Sequence, residues 1–292
     1  MKRDRASTTA EGMAIVRAIE TSRSPARRLL DDPVSVRLVR SAQVAMSRFV
    51  IDSGLYARFF GVGVIEFILL RERFIDDVLA LRLREGLDQV VLLGAGFDTR
   101  ALRIPGIEGT RVFLVDHPVT QAFVRARFER TLGPLPGHVV FVGVDFETQG
   151  LALRLRDAGF DARGRTMFVW QGVTMYLSRS AVDETLAFVA AHAARGSTVI
   201  FDYFYEDVLF DPANRFARRI RAVTSAIGEG LSFALARGAV DVFLTSRGFE
   251  GVVNVDAFGL RALYFTGGHV RREVADGAAI VFARVRGGHQ ES

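Results

Sequence analysis

The sequence predicts a doubly wound α/β sheet with N-terminal helices and a helical cap insertion, on three observations. Short apolar runs bounded by turn residues recur between stretches with helical spacing. The first run is followed at once by Gly94-Ala95-Gly96, and the second ends on an acid, Asp116. Helical patterns come first, strands and helices then alternate, and no repeat or low-complexity tract breaks that order.

In chain order, residues 1–85 read as an N-terminal helical cap segment. Within it, the apolar run Phe59 to Leu70 contains Glu66 and falls well short of the roughly 20 residues that span a bilayer, so it predicts a buried helix. Residues 86–202 read as the ligand-binding core. Val90–Leu93 is an unbroken apolar run ending at Gly94, the pattern of a parallel strand buried on both faces. Arg111–Val115, Val139–Val142, Met167–Trp170 and Thr198–Phe201 are the next four strands.

Pro118 opens a helix to about Leu132, because proline is tolerated at the first helical position. Another helix follows Ser180, with Val182, Leu186, Val189 and Ala193 on one face and Asp183 completing a capping box. Right-handed crossovers wind these elements onto both faces of the sheet. Residues 203–236 read as a helical cap inserted over the site. Residues 237–292 complete the sheet with a helix at Ala239–Arg247 and strands at Val252–Val255 and Ala279–Val285.

Composition narrows the function. The 292 residues are 49% hydrophobic and 24% charged, which allows a large core and excludes wholesale disorder. Without cysteine there is no disulfide framework and no thiolate metal site, which fits a reducing compartment; a cytoplasmic protein is expected. The first 20 residues mix Arg and Glu and lack the apolar core of a secretory signal, and no membrane association is expected. A pI near 10.1 raises the question of nucleic acid, but the arginines are scattered and not interleaved with stacking aromatics, so none is expected.

In such a sheet, ligands bind beyond the carboxyl ends of the strands, where strand order reverses. Gly94 and Gly96 let the backbone turn tightly and approach a ligand. A dinucleotide fingerprint wants a third glycine at position 99, and Thr99 stands there, which argues against NAD and FAD. Asp98 is equally readable as the cap of the next helix. Asp116 follows Gly94 by about 20 residues, the distance at which a carboxylate accepts two ribose hydroxyls. Asp145-Phe146 ends the third strand, where an acid can accept the adenine amino group and a ring can pack on the base. Trp170-Gln171-Gly172-Val173-Thr174-Met175-Tyr176-Leu177 ends the fourth, across the switch point.

Four segments taken in order resemble the leucine carboxyl methyltransferase-like group of class I S-adenosyl-L-methionine-dependent methyltransferases, which includes bacterial small-molecule O-methyltransferases. They are Gly94-Ala95-Gly96-Phe97-Asp98-Thr99-Arg100, Val115-Asp116-His117-Pro118, Val144-Asp145-Phe146 and Gln171-Gly172-Val173-Thr174-Met175-Tyr176-Leu177. The likeness runs from about Arg71 to Asp202. It implies a Rossmann-like core and S-adenosyl-L-methionine as cofactor, with Arg71, Gly94, Ala95, Gly96, Asp116, Asp145, Phe146 and Gln171 as its binding residues. Gly94 would meet methionine and ribose, Asp116 the ribose, Asp145 and Phe146 the adenine. Arg71, in Arg71-Glu72-Arg73-Phe74-Ile75-Asp76-Asp77, would pair with the methionine carboxylate, for which an arginine fork is suited. Three positions depart from the family's pattern. Gln171 stands where glutamate is usual, Glu72 where threonine is common, and Leu114 where an acid often precedes the ribose aspartate.

Methyl transfer from a sulfonium is an in-line displacement that needs collinear positioning in a dry pocket more than it needs catalytic groups. A hydroxyl acceptor must lose a proton, whereas a carboxylate is already ionised at neutral pH. Of the histidines, His117 belongs to the cofactor side, His138 precedes a strand, His192 lies on a covering helix and His289 is in the tail; that leaves His269 as the candidate base, and after Gly267 and Gly268 it reads first as a turn residue. A small carboxylate acceptor is therefore expected, oriented by cap arginines such as Arg215, Arg218 or Arg219. Tyr176 and Tyr203 are the candidate substrate-positioning residues, and with Tyr205 they leave open a phenol or alcohol acceptor. A non-catalytic nucleotide-binding protein is the other alternative. No metal site is expected, and RNA methylation is disfavoured because strand four lacks the Asn/Asp-Pro-Pro-aromatic motif.

Overall fold

The computed structural model describes residues 8–145, 150–226, 230–270 and 272–286. Five helices precede the sheet: α1 (Thr8–Thr21), α2 (Pro33–Leu38), α3 (Ser41–Asp52), α4 (Leu55–Phe60) and α5 (Val64–Arg84). Then come β1 (Gln89–Leu93), α6 (Arg100–Arg103), β2 (Arg111–Asp116), α7 (Pro118–Leu132), β3 (Val139–Gly143), α8 (Leu151–Asp157) and β4 (Thr166–Trp170). The chain continues through α9 (Arg179–His192), β5 (Thr198–Phe204), α10 (Glu206–Leu209), α11 (Arg215–Ala226) and α12 (Val240–Thr245). It closes with β6 (Phe249–Val255), α13 (Ala257–Tyr264) and β7 (Ala278–Val285). Among the described residues, no helix is long and apolar enough to cross a membrane.

The seven strands lie in the order β3-β2-β1-β4-β5-β7-β6, parallel except for β7, which runs antiparallel to both β5 and β6. Strand order therefore reverses between β1 and β4, and the crevice expected of a doubly wound sheet opens there. Because side chains alternate across a strand, each buried run divides its residues between two cores. Val90, Leu92, Val112, Leu114, Met167, Val169 and Ile200 join α1, α2 and α5 on one face. Val91, Leu93, Phe113, Val115, Phe168, Trp170 and Phe201 join α8, α9 and α12 on the other.

All five expected parallel strands form, each within a few residues of its predicted bounds, as does the helix opened by Pro118. Three expectations need correction. The run Phe59 to Leu70 is not one helix: Gly61 and Gly63 adopt φ of 99° and 81°, ending α4 and starting α5. The break is fixed by crowding, because a Cβ on Gly63 would stand 2.5 Å from the backbone N of Ala275. The helix after β4 is capped by Ser178, whose hydroxyl accepts from Ala181 N–H at 3.2 Å, rather than by Ser180. The insertion after β5 begins later than Tyr203, which is still inside that strand.

Candidate active site

The carboxyl ends of the parallel strands open into a cavity of about 520 Å3, within the roughly 300–1,000 Å3 typical of small-molecule sites. Gly94 (φ 65°) and Gly96 (φ 48°) turn the chain out of β1 in a conformation that L side chains rarely adopt. Both are hemmed in. A Cβ on Gly94 would lie 2.3 Å from Val173 Cγ2 on the loop after β4, and one on Gly96 would lie 2.8 Å from Ala10 Cβ on α1. Ala95 lies between them, its N–H donating to Val115 O at 3.0 Å. The glycine turn is thus pressed between the β4 loop and the N-terminal helix, with the cavity along it.

Asp116 closes β2 beside this turn. Its Oδ2 accepts the Gly96 N–H at 2.6 Å and its Oδ1 the His117 N–H at 2.7 Å, so the carboxylate is aimed by backbone and lines the cavity. Asp145 lines the same cavity from the end of β3. Its neighbour Phe146 lies outside the described residues.

Arg71 reaches the site from α5. One guanidinium nitrogen, Nη1, is paired with Asp202 Oδ2, and Nη2 faces Met13 Sδ at 3.6 Å. Its Nε is buried without a hydrogen-bond partner among the described residues, as is Gln171 Oε1 at the end of β4. Asp202 also secures the β4 loop, accepting the Gly172 N–H at 2.6 Å through Oδ1 and the Thr174 hydroxyl at 2.6 Å through its main-chain oxygen. A buried donor and a buried acceptor, both unmet and both lining one cavity, are costly unless a ligand satisfies them.

Behind the glycine turn lies a buried ionic cluster that sequence reasoning did not foresee. Arg17 on α1 donates to Phe97 O at 2.5 Å and pairs with Glu72 at 3.0 Å and Asp32 at 2.9 Å. Arg100 pairs with Glu72, Asp76 and Asp98, and Arg103 with Asp76. Burial would raise the carboxyl of Glu72, but Arg100 and Arg17 outweigh it and hold that group well below the carboxylate range. Burial likewise works against Asp32, and Arg17, Arg103 and Ser35 lower it. Thr99, where a dinucleotide site would want glycine, donates its hydroxyl to Asp32 at 2.7 Å and so fastens α2 beneath the turn. Asp98 accepts the Arg100 N–H at 2.8 Å, but the N-cap of α6 is Thr99, so Asp98 is not the helix cap the sequence allowed; it folds back on the residue two places on.

The other half of the cavity is apolar and aromatic, formed by Tyr56, Phe60 and Phe67 from the N-terminal helices, Met175 and Tyr176 after β4, and Phe204 and Ile220. Burial pushes the Tyr56 phenol above its ordinary value, and Arg71 partly offsets this. Tyr176 lines this half, but Tyr203 does not. Its odd place on β5 sends its ring into the opposite core, where its hydroxyl donates to Asn254 Oδ1 at 3.1 Å. Asp202 and Phe204, one residue to either side, face the cavity instead. The alternation of β5 was the signal that could have identified Asp202.

The cap arginines are also misplaced by the sequence reading. Arg219 donates to Arg58 O at 2.9 Å and lies over the Phe59 ring, Arg218 is exposed, and neither lines the cavity; the Arg215 side chain lies outside the described residues. Among the described residues, His117 is the histidine that lines the cavity, at the Asp116 end, where its Nδ1 caps α7. His138 contacts Ala101 O at 2.9 Å and His192 stacks on Phe188; His269 is in a short turn of helix away from the cavity, and His289 lies outside the described residues. No group of three or more metal-ligating side chains occurs among the described residues.

The leucine carboxyl methyltransferase family model matches residues 10–190, which include the glycine turn, Asp116, Asp145 and Gln171. A Streptomyces coelicolor protein named as an S-adenosyl-L-methionine-dependent methyltransferase is 34% identical over 65% of this chain and 66% of its own length. That alignment, like the second (Bacillus subtilis, 30% identical, 66% of its length), covers slightly less than two thirds of the relative. A Mycobacterium protein of the same designation is 31% identical over 86% of this chain and 85% of its own. In fold, the chain is similar to a Streptomyces avermitilis protein of the DUF574 family (TM-score 0.60, 13% identity, 93% and 96% of the two chains). It is also similar to a Thermobifida fusca protein named as a methyltransferase (0.58, 14%, 93% and 94%). With the seven-stranded order and the glycine turn already in place, the chain belongs to the leucine carboxyl methyltransferase family of S-adenosyl-L-methionine-dependent methyltransferases.

Proposed function

We propose that the protein methylates the carboxylate of a small, largely apolar acid, giving a methyl ester. The observation that carries this reading is the aromatic half-cavity. It offers phenols and apolar surface to an acceptor, and the histidine that lines the cavity is committed to the ribose end. An alcohol would have to lose its proton there, and the Tyr56 phenol, raised by burial, is a donor at neutral pH rather than a base. A carboxylate arrives ionised.

The cofactor fits the residues present. Gly94 and Gly96 leave no room for a Cβ against Val173 and Ala10, so bare backbone runs along the cavity, and Arg71 Nε and Gln171 Oε1 are a donor and an acceptor unmet among the described residues, suited to an amino-acid end. Asp116 would hold the ribose hydroxyls, and Asp145 would take the adenine amino group. S-adenosyl-L-methionine would supply a methyl group on a cationic sulfur. Three of the carboxylates that line the cavity, Glu72, Asp98 and Asp202, are already paired with arginines. Tyr176 and Tyr56 would orient the acceptor oxygen, and the apolar walls would exclude water. The cysteine-free chain suits a reducing cytoplasm.

Incubating the protein with methyl-labelled cofactor and a panel of aromatic and aliphatic acids tests the reading. The expected product loses its label in mild alkali, as a methyl ester does. An alkali-stable product from a phenol or alcohol would replace the carboxylate by an O-methyl ether.

A further inference from the structure

We infer that Asp202 is a positioning residue for the amino-acid end of the cofactor, supplying the negative charge that the neutral Gln171 beside it lacks. The inference rests on the cofactor reading above. An amino-acid end is a zwitterion: its carboxylate is held most strongly by a cation, and its ammonium by acceptors that carry a negative charge. Gln171 Oε1 provides an unmet acceptor but no charge.

Asp202 is the carboxylate tied to the same loop. It is fully buried, lines the cavity, and takes the N–H of Gly172, the residue next to Gln171, at 2.6 Å. Its other oxygen holds Arg71, whose remaining Nε points at no partner among the described residues. The Arg71–Asp202 pair therefore presents a fixed plus and minus side by side. Laid against a zwitterion in the opposite sense, it gives Arg71 with the ligand carboxylate and Asp202 with the ligand ammonium. Neither ion need abandon the other, because a guanidinium has five donors and a carboxylate about four acceptor positions. Charge is balanced before and after binding, which limits the desolvation cost of burying four ions together. The geometry also accounts for Gly172, whose φ of 69° and lack of a Cβ, which would stand 3.2 Å from Arg71 Nη2, let the loop close on the pair.

The test compares S-adenosylhomocysteine with its deamino derivative, in which hydrogen replaces the amino group, by calorimetry. The intact protein is expected to prefer the amino form at least ten-fold. Asp202→Asn, which keeps the shape and removes the charge, should bring the two ligands within about three-fold of each other, chiefly by weakening the amino form. Adding Gln171→Glu to that variant should restore the preference, since a carboxylate returns to the same corner. Equal binding of the two ligands by the intact protein would overturn the inference, and that comparison needs no variant to fold. An Asp202→Asn protein that binds both ligands more weakly but keeps the preference would also overturn it, assigning Asp202 to loop structure alone. If neither ligand binds the intact protein, the cofactor reading itself falls, an outcome separate from those two.

Discussion

Asp116 is already bound to two backbone N–H groups, from Gly96 and His117, before any ligand arrives. This makes it a support of the glycine turn as well as a candidate ribose acceptor. Asp116→Ala should therefore weaken S-adenosylmethionine by well over ten-fold, since hydrogen bonds to a charged group are each worth roughly 1.5–3 kcal/mol. Asp116→Asn, which keeps an acceptor but loses the charge, should fall between; titration calorimetry on both variants checks the order. Gly94→Ala is a sharper case. It must take φ near 65° and set a methyl group 2.3 Å from Val173, so it should cost about 1–3 kcal/mol of stability from strain alone and also displace the β4 loop. Denaturant unfolding would show the first effect and loss of cofactor binding the second. At this scale the sequence was readable where backbone geometry speaks: Gly94, Gly96 and the acids ending β2 and β3 all reach the cavity. It misled where one residue of alternation decides, because Tyr203 and Asp202 are neighbours on β5 with opposite destinations.

Among elements, the join between α1–α2 and the β1–α6 turn is made of ions rather than apolar contacts alone. Arg17 touches three elements at once: Asp32 beside α2, Glu72 on α5 and Phe97 O in the glycine turn. Removing it leaves buried carboxylates short of a partner, and a penalty of about 3–5 kcal/mol is expected for Arg17→Met at neutral pH. The pH dependence has a definite sign. Asp32 and Glu72 are both held below their ordinary values, so the stability they contribute is complete above about pH 5 and is lost as pH falls through 4 and below. In Arg17→Met the same carboxyls protonate more readily, which relieves the buried charge. The penalty should thus shrink between about pH 7 and pH 3. Urea midpoints of the two proteins across that range would show converging curves; parallel curves would mean the cluster carries no net charge coupling. None of this network could be read from the sequence. Arg17, Asp32 and Glu72 are far apart in the chain, and each in isolation is an ordinary charge on a predicted helix or loop.

For the molecule as a whole, the sheet assigns its two faces different work. The α8, α9 and α12 side is closed by aromatic packing, with Phe168 edge-on to Phe188 and Trp170 edge-on to Phe201. The α1, α5 and α11 side carries the cavity, and there α1 rests on the glycine turn through Ala10 while Thr9, Met13 and Arg17 line the space below. The strand sequence made this division predictable in outline, since unbroken apolar runs must be covered twice. How α4, α5 and α11 meet above the site was not, because that depends on long-range contacts such as Gly63 against Ala275. A ligand that fills the cavity lies against α1, the glycine turn and the β4 loop at once. Binding to the folded state alone should then raise unfolding free energy by about 2.7 kcal/mol at a concentration one hundred times Kd. The gain should be unevenly distributed: hydrogen exchange with S-adenosylhomocysteine bound is expected to slow in α1, the Gly94–Gly96 turn and the loop after β4. Amides of α8, α9 and α12 should change little, since their core is complete without ligand. Slowing spread equally over both faces would mean instead that the sheet responds as one unit and that α1 is not the element the ligand secures.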